Sequence, residues 1–174
     1  MDFTDLNLRN IALADFEKSL GFAQVFSFPV FSINSQNDLS KISVPTVVES
    51  ASLEFLMSAA KKENTVMANP FLVRGFEREP KFFRRIAEER GVIEIPMAMF
   101  LQVDGARRAS RINIARKTVL MARKFKATVA LTSRASEENG CKSPEELMAF
   151  ANAFLGMNKD EAAMAVSVNP ANGI

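Results

Sequence analysis

The chain has 174 residues, 48% hydrophobic and 24% charged, a balance that suits one globular domain with its own core. It has no His, no Trp, no Tyr and one Cys, which excludes Ser-His-Asp and Cys-His catalysis, zinc sites built on imidazole and an internal disulfide. The net charge is only +2, but nine of the 22 cations (Arg107, Arg108, Arg111, Arg116, Lys117, Arg123, Lys124, Lys126 and Arg134) lie between Asp104 and Glu137 with no acid among them, leaving 13 cations against 20 acids elsewhere.

In chain order, Phe3 to Leu8 reads as a short strand, Ala12 to Leu20 as a helix stopped by Gly21, and Gln24 to Phe28 as a second strand ended by Pro29. Ser32 to Lys41 is polar and reads as a loop. Thr46 to Val48 is a third strand. Ser52 is placed to cap a helix through Leu53, Leu56, Ala59 and Ala60. Thr65 to Ala68 is a fourth strand, stopped at Asn69-Pro70. Pro80 opens a helix to Arg90 whose apolar residues Phe82, Phe83, Ile86 and Ala87 recur at helical spacing. Val92 to Ile95 is a fifth strand. A long helix from about Arg108 to Phe125 carries the stripe Ile112, Ala115, Val119 and Ala122, and Thr128 to Thr132 is a sixth strand, apolar enough to be buried on both faces. Ser143-Pro144-Glu145-Glu146 is a capping box opening a helix closed by Gly156, and Asn158 with Glu161 opens another, stopped at Asn169-Pro170.

This alternation predicts parallel βα units, in an open doubly wound sheet or an incomplete (βα) barrel, as a single domain over residues 1–174. No apolar run approaches the about eighteen residues of a membrane span, and an N-terminus carrying Asp2 and Asp5 is unlike a signal peptide. The expectation is a cytoplasmic protein with no membrane contact. No glycine-rich phosphate motif occurs, which argues against nucleotide hydrolysis and dinucleotide redox chemistry.

Segregated positive charge is the footprint of a polyanion partner, against the plainer reading of a solvated helix face. On a helix, Lys117 and Lys124 share one polar face, Arg107 and Arg111 are like-charged neighbours four apart, and Arg116 and Arg123 fall nearer the apolar stripe. Arg134 follows the sixth strand and Lys142 precedes the Ser143 cap. Bracketing a helix start, that pair is the favoured phosphate site. Without Trp or Tyr there are few platforms for unpaired bases, which favours recognition of phosphate and shape. Four carboxylates near strand ends, Asp5, Glu49, Glu94 and Asp104, are the candidates for acid-base or metal chemistry; the plainer reading is structural.

The segments Gly91-Val-Ile-Glu-Ile95, Arg116-Lys117 to Ala122-Arg-Lys-Phe-Lys126, Val129-Ala-Leu-Thr-Ser133, Lys142-Ser-Pro-Glu-Glu-Leu147 and Leu155-Gly-Met157 resemble, in order and spacing, protein component 3 of archaeal ribonuclease P, the counterpart of the thirty-kilodalton-type eukaryotic subunit. The N-terminal half is similar only through Asp5-Leu6-Asn7 and its strand pattern. The resemblance implies a TIM-like barrel, incomplete or distorted, with about six to seven mostly parallel strands, related to the polymerase and histidinol phosphatase superfamily. That superfamily's metal-binding strand reads Asp-Leu-His-x-His, whereas this chain has Asp5-Leu6-Asn7-Leu8-Arg9. The implied role is a non-catalytic subunit that binds ribonuclease P RNA and assists removal of the 5′ leader from precursor tRNA. It implies no cofactor or metal on this chain, Mg²⁺ on the RNA, and pairing with a small ferredoxin-like protein subunit. The RNA-binding positions carried over are Arg107, Arg111, Arg116, Lys117, Arg123, Lys124, Arg134 and Lys142. The chain departs from the family in being short and in the acidic Glu137 and Glu138 near Lys142. Two rival expectations are a carboxylate-metal phosphoesterase on the same barrel, and a protein-interaction scaffold using Phe82, Phe83 or Met97 to Phe100.

Overall fold

The computed structural model describes residues 4–5, 14–25, 30–42, 46–63 and 65–167. Its seven described strands pair in parallel throughout: β1 (Thr4–Asp5) with β2 (Gln24–Val25), and β3 (Val30–Ser32), β4 (Thr46–Glu49), β5 (Thr65–Met67), β6 (Val92–Pro96) and β7 (Thr128–Thr132) in a second sheet ordered as they occur in the chain. A short helix, α1 (Ala14–Ser19), connects β1 to β2. Among the described residues no ladder joins the two sheets. A strictly sequential order with right-handed crossovers sends every connecting helix to the same face, as in a barrel wall and unlike a doubly wound sheet.

The side chains follow that arrangement. Strand residues alternate between faces, and one set (Phe31, Val48, Met67, Ile93, Ile95, Val129 and Leu131) packs with the helices in the main core. The opposite set, Val47, Val66, Ala68, Val92 and Ala130 with Val30 against them, forms a separate inner cluster. Register aligns Val30, Val47, Val66 and Val92 across four strands, so the inner face is built in layers. Two residues further along β4 and β6 the same alternation puts Glu49 and Glu94 on this face, at the carboxyl ends of the strands.

The helices of the outer layer start where capping chemistry allows. Ser52 Oγ accepts from Phe55 N at 3.5 Å to open α3 (Leu53–Ala59). Pro80 opens α4 (Pro80–Glu88), whose Phe82, Phe83 and Ile86 are wholly buried. Phe76 meets Phe82 edge-on at 6.0 Å, and Phe82 meets Phe83 edge-on at 5.5 Å. The long α6 (Gly105–Phe125) buries Ala115, Thr118, Val119 and Ala122 and ends at Lys126, whose φ of 58° breaks the helix. Then come α7 (Pro144–Phe150), a π-helical turn over Ala151–Leu155, Gly156 at φ 72°, and α8 (Lys159–Ala165). Among the described residues no helix is long and apolar enough to cross a membrane.

Three expectations change. The polar stretch read as a loop holds the end of β3 and a short helix, α2 (Gln36–Ser40). There the Asp38 carboxylate accepts from Asn34 N, Ser35 N and Ser35 Oγ at 3.1, 3.0 and 2.9 Å, and these bonds, the one from Asn34 foremost, hold it below its ordinary range. A further one-turn helix, α5 (Ala98–Leu101), fills the gap between β6 and α6. The scaffold surface is overturned: Phe82 and Phe83 are core, and Met97, Met99 and Phe100 are buried too. Most of the expected first strand, the end of the second and the Asn169-Pro170 stop lie outside the described residues. Truncating Phe82 to Ala is expected to cost ~3–5 kcal/mol in urea unfolding, as for a large aromatic lost from a packed interior.

Candidate nucleic-acid interface

The first turns of α6 rise beside the end of α5, and two arginines tie the elements together. Arg108 Nε donates to Phe100 O at 3.0 Å and to Val103 O at 2.8 Å, and Arg111 Nη1 donates to Met99 O. These bonds satisfy carbonyls that a helix end leaves open. A guanidinium has five N–H donors, so each keeps donors for another acceptor while its position is held. Arg107 and Arg108 are exposed and Arg111 is half-buried. The charge of neighbours four apart is thus tolerated by leaning Arg111 onto a carbonyl.

Further along, Arg116 and Lys124 are exposed and Lys117 is half-buried, with Leu120 at 58% exposure between them. Arg116 therefore lies on the open face, although its spacing suggested the edge of the apolar stripe. The buried residues of α6 are small and few, so the covered sector is narrow. Lys124 Nζ stands 5.6 Å from the Phe125 ring centroid, and Arg84 stands 5.9 Å from the same ring.

Arg123 serves the fold. Its Nε and Nη2 donate to the two carboxylate oxygens of Glu161 at 2.7 and 2.9 Å, and Nη2 also donates to Gly156 O at 3.0 Å, pinning the start of α8 to α6. The hydrogen bond from Arg123 holds the Glu161 carboxyl below its ordinary range, and the same bond raises Arg123. Glu161 also caps α8, accepting from Asn158 N at 2.8 Å.

The expected phosphate pair does not form a cradle. Arg134 is 5% exposed and turned onto the inner face, where Nη2 donates to Glu49 and Nη1 to Glu94 Oε2 at 3.4 Å. Thr132 Oγ1 donates to Glu94 Oε1 at 2.8 Å. One guanidinium thus answers two carboxylates on β4 and β6, and its charge is consumed inside the fold. The residue holds φ at 48°, a left-handed conformation that costs a side-chain-bearing residue about 1 kcal/mol or more. Lys142 Nζ lies 4.0 Å from Glu146, and the start of α7 is already occupied by its own capping box: Glu146 N to Ser143 Oγ at 3.2 Å and Ser143 N to Glu146 Oε2 at 2.9 Å.

The carboxylates proposed for metal chemistry are dispersed among other tasks. Glu49 and Glu94 share Arg134, Asp104 is the exposed N-cap of α6, and the side chain of Asp5 lies outside the described residues. Among the described residues no three Asp, Glu or Cys side chains group to hold a metal.

Replacing Arg134 by Met would strand two carboxylates on an enclosed face. The expected loss is ~3–5 kcal/mol in urea unfolding, partly recovered when Glu94→Gln is added. Glu161→Gln retains a capping side chain but loses the ion pair, at a cost of ~1 kcal/mol or less at neutral pH, since both partners are partly exposed and solvent screens them. Because folding lowers the Glu161 pKa, the pair's contribution is present above the ordinary glutamate range and lost as pH falls through the lowered value. Urea midpoints of wild type and Glu161→Gln should therefore converge on acidification.

No protein-family model matches the chain. It is 30% identical over 105 residues to Ribonuclease P protein component 3 of Methanococcoides burtonii, a match spanning 60% of this chain and 43%, less than half, of that relative. A chain in the cryo-EM structure of archaeal Ribonuclease P with mature tRNA superposes with a TM-score of 0.67 at 19% identity, covering 94% of this chain and 72% of that one. The α/β fold of parallel strands is shared with that chain, and in sequence the protein resembles ribonuclease P protein component 3.

Proposed function

We propose that the chain is an RNA-contacting protein subunit of a ribonuclease P-type assembly that takes part in tRNA processing. In this reading the RNA carries out endonucleolytic removal of the 5′ leader from precursor tRNA and holds the divalent ions, and the protein, which performs no chemistry, stabilises the RNA fold from the cytoplasm. A small ferredoxin-like protein subunit is the expected protein neighbour. The observation that carries the proposal is α6, which exposes Arg107, Arg108, Arg116 and Lys124, with Lys117 half-buried beside them, in a segment without a single acid. Arginine and lysine at this density repel one another unless polyanionic phosphates lie between them, and Arg forks suit phosphate oxygens. The relative's name and the tRNA-bound assembly of the structural neighbour support the choice of RNA among polyanions. Arg111 contributes at the start of the helix. Arg123, Arg134 and Lys142 are assigned to the fold, because each faces a carboxylate.

The test is reconstitution of the RNA with its protein subunits, with and without this chain, assaying precursor-tRNA cleavage at limiting Mg²⁺. Stimulation by the chain is expected, and its absence refutes the reading. Charge reversal of Arg107, Arg116 and Lys124 together should weaken RNA binding and flatten the dependence of log K on log salt by roughly one unit for each phosphate no longer neutralised.

A further inference from the structure

Phenylalanine supplies all the aromatic side chains, and most of those described are core; Phe154 is 49% exposed. It sits on the π-helical turn Ala151–Leu155 and forms the outer rung of a ladder of rings. Phe100, 2% exposed, anchors the ladder. Phe150 lies over it with centroids 4.9 Å apart, and Phe154 follows at 5.3 Å from Phe150, their planes within 30°. The outermost ring thus rests on Phe150, which itself rests on Phe100, and Leu101, 43% exposed, adjoins the anchor in the chain.

Arginines flank this ladder. Arg108 donates to the carbonyl of Phe100 at one end, and Arg123 donates to the carbonyl of Gly156 at the other. Arg116 lies between them on the same edge of α6, eight residues from Arg108 and seven from Arg123, a spacing that keeps all three on one side of a helix. Arg116 is exposed and has no carboxylate partner among the described residues. Glu161 is engaged by Arg123, and Glu146 by the Ser143 cap and Lys142.

We infer that Phe154 is a stacking platform for an unpaired RNA base, whose adjoining phosphates are held by the α6 edge centred on Arg116. The inference rests on the RNA-binding reading and deepens it, adding recognition of single-stranded segments to recognition of the duplex backbone. An exposed ring beside an acid-free cationic helix suits a nucleotide, with a π-face and a phosphate to satisfy together.

The chain has no Trp, so Phe154→Trp gives a single fluorescent reporter. Its emission is expected to be quenched by a single-stranded oligoadenylate of about twelve nucleotides and left unchanged by a fully paired RNA of equal length. Phe154→Ala should weaken binding of the single strand roughly 5-fold or more, the scale of one base stack, with duplex affinity and salt dependence unaltered. Phe154→Leu should behave as Phe154→Ala, since it keeps apolar bulk without a π-face. The urea midpoint of each variant should stay near wild type, the residue being half exposed. Equal quenching by both RNAs, full affinity in Phe154→Ala or Phe154→Leu, or equal weakening on both RNAs overturns the inference. If wild type binds neither RNA, the RNA-binding reading falls and takes this inference with it. If wild type binds both and Phe154→Ala matches it, this inference alone falls.

Discussion

One buried guanidinium allows the inner face of the sheet to carry charge at all. Glu49 and Glu94 arrive there by strand alternation, two residues beyond a layer of valines, and neither strand offers a cation of its own. An ionised carboxylate enclosed beside that layer would cost several kcal/mol without a partner. Arg134, delivered from the end of β7 through an unusual backbone conformation, bonds both. The carboxyl ends of β4, β6 and β7 are thereby held together by one guanidinium bonded to two carboxylates, in a place where barrel enzymes keep their reactive groups. With those carboxylates so engaged, the charge available to a partner lies on the outside of the molecule, on α6.

The sequential order of β3 to β7 explains that division. Every crossover helix lies on one side, so α6 belongs to the outer layer, with one narrow sector against the sheet and the rest open. Its two ends are fixed differently. The first turns are bound to α5 through Arg108 and Arg111, and the last turns to α8 through Arg123 and Glu161. Between them the helix presents cations on a held frame, which lowers the ordering cost of contacting an extended anionic surface.

Local signals in the sequence were enough to place most elements: the Ser143 and Asn158 capping boxes, Pro80 at its first turn, and the apolar strand Thr128–Thr132 all stand where side-chain chemistry puts them. The parallel βα alternation was legible for the same reason. What escaped was non-local or compensated. Helix α2 is polar throughout except for Leu39, and one carboxylate, Asp38, makes it a helix start. The burial of Glu94 could be suspected from its apolar strand, but its partner could not be named, because Arg134 lies 40 residues away and meets it only through the β6–β7 register. Arg134 and Lys142 looked alike as cations near a helix start; the backbone conformation at Arg134 turned one of them inward. For Arg116, helical spacing alone misjudged how narrow the buried sector of α6 would be.

The π-helical turn after α7 holds one more residue than an ordinary helical turn would over the same span. Deleting a single residue there would restore α-helical winding and leave the flanking segments nearly in register, because the wider π turn sweeps with five residues about the angle that an α-helix sweeps with four. Phe154 would then stand three residues from Phe150 instead of four, with the Gly156 turn and the α8 cap intact. The extra residue is thus absorbed within one turn, so that the chain can gain or lose one codon here without redesigning the core beneath it.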